Sequence, residues 1–392
     1  MVKSTKYIDE RSVLNLAKRL IKTQSISGNE KKLVTLLAIE LKKAGFNRVQ
    51  YDEQNYNIIG TLPGLSKGMS LMLVGHLDTV PAGGMEKPFQ GLEMEGSKFG
   101  TNGKVIYGRG ACDMKAALAA MISAGGALKR ARVRLKGGFT FVGLTNTKNG
   151  HSKGLEDVLS KFELDPDYIL SCAPTNMNIN VGHPGEAIFD ILTYGKMTNI
   201  GALNKGENAI LKMQKILKYL LNETSLPEDK IYGKANMFVS SIISKPVRAN
   251  SLVPSQCKAN LVRQYFKNEK PEEIKKELLD LLKKYNFKEK EDVKISLKRS
   301  FPPLQTKENS EIISFIQQSY QEIIDKKTEI GFWKNGINLS EILNVDYPIV
   351  GFGPGDDTLM HTAEEHVPIN QIITAAKIYA ALAEQICLIK KS

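Results

Sequence analysis

The sequence predicts an α/β protein, a mostly parallel sheet covered by helices with an inserted ferredoxin-like α+β unit. Three observations carry this expectation. Helical and strand-like apolar patterns alternate through the first third of the chain, and some strand segments are continuous apolar runs of the kind buried on both faces. From about Gly182 the order becomes β-α-β-β-α-β, and after Phe301-Pro302-Pro303 the alternation resumes. At 392 residues the chain is about twice a typical domain. We therefore expect residues 1–181 and 295–392 to form one α/β domain, interrupted by a small domain at 182–294.

The elements follow in order. Ile8 to Leu20 has helical apolar spacing; Asn57 to Leu62 and Ser70 to Val74 read as strands, the second as a buried central one. Met114 to Leu128 reads as an Ala-rich helix, Gly138 to Leu144 as a buried strand, Gly154 to Lys161 as a short helix and Tyr168 to Leu170 as a strand. In the inserted segment, strands are expected at Ala187 to Tyr194, Met237 to Ile243, Cys257 to Tyr265 and Val293 to Leu297. Helices are expected there at Glu207 to Leu221 and Pro271 to Tyr285, the latter with Pro in its first turn. A helix near Ser310 to Ile324, a strand at Pro348 to Phe352 and a final helix at Ile369 to Leu388 complete the chain.

Hydrophobic residues at 42% and charged residues at 24% exclude a disordered, fibrous or coiled-coil chain. The weakly polar run Ala116 to Leu128 is too short to span a bilayer, so no membrane association is expected. The charged N-terminus MVKSTKYIDERS lacks an apolar core for secretion, and Cys112, Cys172, Cys257 and Cys387 form no CxxC pair; both point to reduced thiols in the cytoplasm. The least ordinary figure is charge, 54 basic against 42 acidic residues, net +12. Alone it suggests a polyanion. Lysines outnumber arginines roughly four to one and no nucleic-acid motif is present, which favours a lysine-rich surface over a nucleic-acid partner.

Two segments carry chemistry. In Leu73-Val74-Gly75-His76-Leu77-Asp78-Thr79-Val80-Pro81 a buried strand ends at a glycine, and His76 and Asp78 emerge where open α/β sheets place their sites. Two residues apart on extended chain they point the same way, so Asp78 either bonds the imidazole or lies just behind it, as metal-bound histidines require. In Tyr107-Gly108-Arg109-Gly110-Ala111-Cys112-Asp113-Met114-Lys115 the glycines permit a tight turn before a helix and Asp113 stands at its N-cap. Taken singly, a loop histidine is often just a polar residue and such an aspartate only a cap.

Together with Gly351-Phe352-Gly353-Pro354-Gly355 and His361-Thr362-Ala363-Glu364-Glu365, these segments resemble the acetylornithine deacetylase, succinyl-diaminopimelate desuccinylase and carboxypeptidase family of two-zinc amidohydrolases. The resemblance spans nearly the whole chain. It implies a lid or dimerisation domain where the insertion falls, a metal pair that activates a bridging water, and a glutamate as its general base. Position by position, it makes His76 and His361 metal ligands, Asp78 the support of His76 and Asp113 the bridging ligand. It places substrate-binding roles on Asn199, on Asn250 of the Asn-x-x-Pro pattern, and on Arg263.

The departures from that family are specific. Where two adjacent glutamates are expected, the sequence reads Thr147-Lys148, so Thr147 replaces the general base and Lys148 a metal ligand. No acid occurs between Asp113 and Glu156, which excludes a small shift of register. Ala173 replaces a second metal-binding carboxylate before Pro174, and Asn199 a lid histidine in Gly195-Lys196-Met197-Thr198-Asn199. Leu261 replaces the Asp of an Asp-x-Arg pattern, and the loop around Gly336 lacks its Asp. Two remaining ligands per metal fall short of the three or four of a zinc site. An ammonium from Lys148 would offset the charge of Asp113.

The expected function is that of a non-hydrolytic homologue, with no zinc or only weakly bound zinc. It would bind a small anionic, amino-acid-like ligand or pair with an active paralogue, and form a homodimer through the lid. The alternative is an active deacylase or carboxypeptidase with a one-metal site rebuilt from His151, His183, Asp356 or Asp357. A basic nucleic-acid binder is the remote third reading. His366 is expected to be an ordinary surface histidine, and Cys112 and Cys172 buried structural thiols.

Overall fold

Apolar runs in the first 180 residues become the interior of a sheet. The computed structural model describes residues 2–145, 147, 154–247, 251–334 and 348–391. In chain order the main elements are α1 (Glu10–Lys22), α2 (Lys31–Lys43), β1 (Arg48–Tyr51), β2 (Ile58–Leu62), β3 (Leu71–His76), α3 (Ala116–Arg130), β4 (Phe139–Leu144), α4 (Gly154–Lys161), β5 (Tyr168–Ser171) and β6 (Ile179–Asn180). Next come β7 (Gly185–Tyr194), α5 (Ala209–Glu223), β8 (Met237–Lys245), β9 (Gln256–Tyr265), α6 (Pro271–Lys284) and β10 (Val293–Phe301). Last are α7 (Glu311–Ile324), β11 (Ile330–Gly331), β12 (Ile349–Gly351) and α8 (Ile369–Cys387).

These residues group into two compact units, one from Met1–Gly182, Gln305–Trp333 and Ile337–Ser392, the other from His183–Leu304 and Lys334–Gly336. In the first unit an eight-stranded sheet has the order β1-β2-β4-β3-β5-β12-β6-β11. Its centre is parallel, β3 pairing with both β4 and β5, and β5 with β12. Every residue of β4 and β5 is buried, as parallel strands covered on both faces must be. Helix α3 (AALAAMISAGGALKR) is apolar almost all round and is accordingly buried, packed against α1 and α8. With the turn before it, Ala111–Arg130 is, among the described residues, the one helical stretch apolar and long enough to cross a membrane, and its burial marks it as a core helix.

Residues Leu92–Glu95, Lys104–Tyr107 and His366–Pro368 form a separate three-stranded antiparallel sheet. The N-terminal turn Ser4–Tyr7 is tied to α8 because buried Glu384 accepts from the main-chain N–H of Lys3 and of Ser4 (2.8 Å).

The second unit is an antiparallel four-stranded sheet in the order β8-β9-β7-β10, with a core of its own. Residues of β7 alternate strictly, with Ala187, Phe189 and Ile191 buried against Met213 and Ile216 of α5 and Ile274 and Leu278 of α6.

Candidate active site

The strand β3 delivers the first histidine. Its Gly75 packs closely against the Met114 side chain, and a Cβ there would stand 2.7 Å from Met114 Cε. His76 follows at the strand's carboxyl end, and Asp78 two residues on is fully buried. The Asp78 carboxylate lies behind the imidazole without bonding it: Oδ1 is 3.7 Å from Nδ1, and Nδ1 instead donates to the Asp78 main-chain oxygen at 3.0 Å. Two hydroxyls hold the carboxylate, Ser27 Oγ donating to Oδ2 (2.6 Å) and Thr147 Oγ1 to Oδ1 (2.8 Å).

The segment before α3 delivers the aspartate. Gly110 adopts the left-handed region (φ 80°), and a Cβ on it would meet Thr79 Cγ2 at 2.6 Å. Asp113 is not the N-cap expected from sequence. The helix begins at Ala116, and Asp113 and Met114 have non-helical backbone angles. Its carboxylate turns to the histidines instead, with Oδ1 2.7 Å from His76 Nε2 and Oδ2 3.1 Å from His361 Nε2. Because Nδ1 of His76 is already the donor to a carbonyl, Nε2 and Oδ1 hold together only through a shared proton or cation.

What fixes this geometry is a buried ion pair that sequence reasoning missed. Glu365, 1% exposed, accepts from Arg109 Nη1 (2.5 Å) through one oxygen and from the main-chain N–H of Cys112 and Asp113 (3.1 Å each) through the other. Arg109 also donates to the carbonyls of Pro81, Ala82 and His361. The pair thus ties together the segments that carry Asp113, His361 and the chain after Asp78. Burial pushes the Glu365 carboxyl up from its ordinary value. Both residues stood inside the quoted motifs, and two opposite charges in such glycine-rich loops were the available signal.

The other predicted residues fall as follows. Ala173 follows β5 and presents a methyl group; its carbonyl packs so closely under Gly353 that a Cβ there would lie 2.4 Å away. Asn199 is exposed and caps its own turn, accepting from Gly201 N–H at 2.9 Å. Arg263 is buried on the helix-covered side of the second unit's sheet, donating from Nη2 to Glu269 Oε1 (2.8 Å), while its Nε and Nη1 are buried without a partner. Lys148, His151, Asn250 and Gly336 lie outside the described residues.

Asp356 is committed as the cap of a short turn, accepting from Thr358. His183 is buried, its Nδ1 bonded to the Pro184 carbonyl, and burial holds it down to about 4. His366 is not the surface residue expected. It is buried and stacks on Phe99 with ring centroids 4.3 Å apart. Cys112 is buried and donates to the Asp356 carbonyl, and burial raises its thiol well above the ordinary value, so it is unreactive.

A metal pair needs more donors than this site offers. Each side of Asp113 offers one imidazole nitrogen and one carboxylate oxygen, and Ala173 has nothing to add. Among the described residues no group of three or more His, Cys, Asp or Glu side chains is arranged to hold a metal ion. These residues do not fit a two-metal centre.

The fold is an α/β scaffold of the zinc-exopeptidase kind. Residues 72–385 match the model of Peptidase family M20/M25/M40, and the chain belongs to that family. It is 26% identical over 392 residues to the succinyl-diaminopimelate desuccinylase of Wigglesworthia glossinidia brevipalpis, covering 96% of this chain and 99% of that one. Its fold is similar to that of human carnosine dipeptidase 1, with a TM-score of 0.80 at 15% identity over 98% of both chains. It is also similar to Bacillus subtilis YXEP, described as a dinuclear metal binding peptidase of the M20 family, with a TM-score of 0.69 at 13% identity over 96% of this chain and 98% of that one.

Proposed function

We propose that this chain is a non-hydrolytic member of the family that binds a small anionic, amino-acid-like ligand, with zinc absent or weakly held. One observation carries the reading. The residue aligned with the general base is Thr147, and its hydroxyl proton is committed to the buried carboxylate of Asp78. A hydroxyl so engaged does not take a proton from water near neutral pH. Ala173 and the two-donor sides of Asp113 support it further. The half-paired guanidinium of Arg263 supports an anionic ligand, because a buried guanidinium favours a carboxylate on its free edge.

A second copy of the chain is the partner we favour over an active paralogue. Twelve of the 19 exposed large hydrophobic residues lie in the second unit, among them Phe238, Ile242 and Ile243 of β8, an edge strand paired only with β9 among the described residues. Light scattering on the purified protein, with Ile242→Lys as the comparison, tests this, and a monomeric wild type refutes it.

The activity test compares wild type with Thr147→Glu/Lys148→Glu/Ala173→Glu for zinc content and hydrolysis of N-acyl amino acids. The expected result is no turnover and little zinc in the wild type, with a gain of zinc in the variant. Wild-type hydrolysis at ordinary rates that His76→Ala abolishes would overturn the proposal.

A further inference from the structure

We propose that the first unit carries a second binding site, at the opposite end of its parallel strands from His76, for a small molecule bearing a di- or triphosphate group. Strands β3 and β4 run side by side in the same direction. Their carboxyl ends lead to His76 and Thr147. Their amino ends, roughly 20 Å away for six extended residues, emerge from Gly68 and Gly138.

A cavity of about 500 Å³ opens at that end, lined by Ser66, Lys67, Lys136, Lys391 and glycines that include Gly68 and Gly138. Its size is that of an ordinary small-ligand pocket. Main chain forms its floor. A Cβ on Gly68 would stand 2.4 Å from Gly137 N, and one on Gly137 only 1.9 Å from Met69 O, so no side chain can cover the backbone crossing.

Three lysines line this space. Lys391 is partly neutralised by Asp167 at 2.8 Å; Lys67 and Lys136 make no ion pair among the described residues. The wall continues along residues 132–136, where Leu65 N–H donates to the Leu135 carbonyl and Ser66 N–H to that of Lys136. Along this stretch Arg132, Arg134 and Lys136 are exposed and Leu135 is buried, so three cations stand at exposed positions within five residues. No acidic residue occurs from Met114 to Leu155, and three of the chain's ten arginines fall within 130–134. Part of the +12 charge is thus gathered at one place.

The chemistry of the lining selects the ligand. Lysines are compact point charges that neutralise dense negative charge without demanding the planar geometry of a carboxylate, and three of them match a condensed phosphate. The lining holds no aromatic ring on which a base would stack, which argues against single-stranded nucleic acid.

The test is titration calorimetry on the full chain with inorganic tripolyphosphate and pyrophosphate at fixed ionic strength, with sulfate as control. Lys67→Gln/Lys136→Gln removes the proposed contacts from exposed positions. Lys288→Gln/Lys290→Gln makes the same charge change in the other unit. Tripolyphosphate is expected to bind the wild type in the micromolar range and more tightly than pyrophosphate. The first variant should weaken it at least about tenfold, and the second less than twofold. The proposal fails if wild type binds neither polyphosphate, if both variants weaken binding alike, or if sulfate binds as well. It fails also if a single-stranded oligonucleotide binds more tightly than tripolyphosphate and loses affinity in Arg132→Gln/Arg134→Gln.

Discussion

Replacing Glu365 by Ala strands a guanidinium that is itself 1% exposed, and removes the acceptor of the Cys112 and Asp113 N–H groups. Breaking a buried ion pair from one side costs about 3–5 kcal/mol, because the remaining charge has no solvent to turn to. Arg109 keeps three carbonyl acceptors, Pro81, Ala82 and His361, which places the expected loss near the lower end, about 3 kcal/mol. For a unit of this size that corresponds to a fall in melting temperature of about 6–10 °C. Glu365→Gln retains an oxygen for the two N–H groups and should lose about half as much. Scanning calorimetry on wild type and both variants reads the series. If Glu365→Ala melts within 2 °C of wild type, or if Gln is worse than Ala, the pair does not hold the Asp113 and His361 segments as described.

Thr147→Val removes one donor from the buried Asp78 carboxylate and should cost about 1–3 kcal/mol in urea unfolding; an unchanged midpoint would mean that the hydroxyl is idle. Below pH 6.5 the unfolded chain protonates His183 while the folded chain resists until about 4, so protons favour unfolding. Stability should therefore fall by about 3 kcal/mol as pH drops from about 6.5 to about 4, and His183→Gln should flatten that slope in pH-dependent denaturation. A Cβ on Gly351 would lie 1.9 Å from the Trp333 ring; Gly351→Ala should cost about 1–3 kcal/mol, and Trp333→Leu should relieve part of it in a double-mutant cycle. Glu384→Ala frees the N–H groups of Lys3 and Ser4, and limited proteolysis should then cut the first seven residues faster than in wild type.

The strands of the second unit were legible because their apolar residues alternate or run unbroken, and Ala187 to Tyr194 differs from β7 by only its first two residues. Helix α2 was overlooked. Its Leu33, Val34, Leu37 and Leu41 do repeat at helical spacing, but Glu30 makes no capping bond, and lysines crowd both ends. The start of α3 was misplaced because an aspartate before an Ala-rich run looks like a cap. Its carboxylate is drawn away by two imidazoles, one of them 248 residues distant. The same distance problem hid the bond of Glu365 to Arg109, 256 residues apart, and that of Thr147 to Asp78, 69 residues apart. Residue type and local order announce a motif, whereas a bond across such separations has no local signature.

Strand β12 lies between β5 and β6, and α8 packs against α3, so two elements made after residue 348 are interior parts of a unit most of which was made before residue 183. During synthesis the first 182 residues leave the ribosome without the pieces that cover their apolar surface, and they wait while the whole second unit is made. That second unit has its core entirely within one continuous stretch and can fold at once. A chain stopped by a premature termination between residues 305 and 348 would keep the core of the inserted unit and leave its host unfinished.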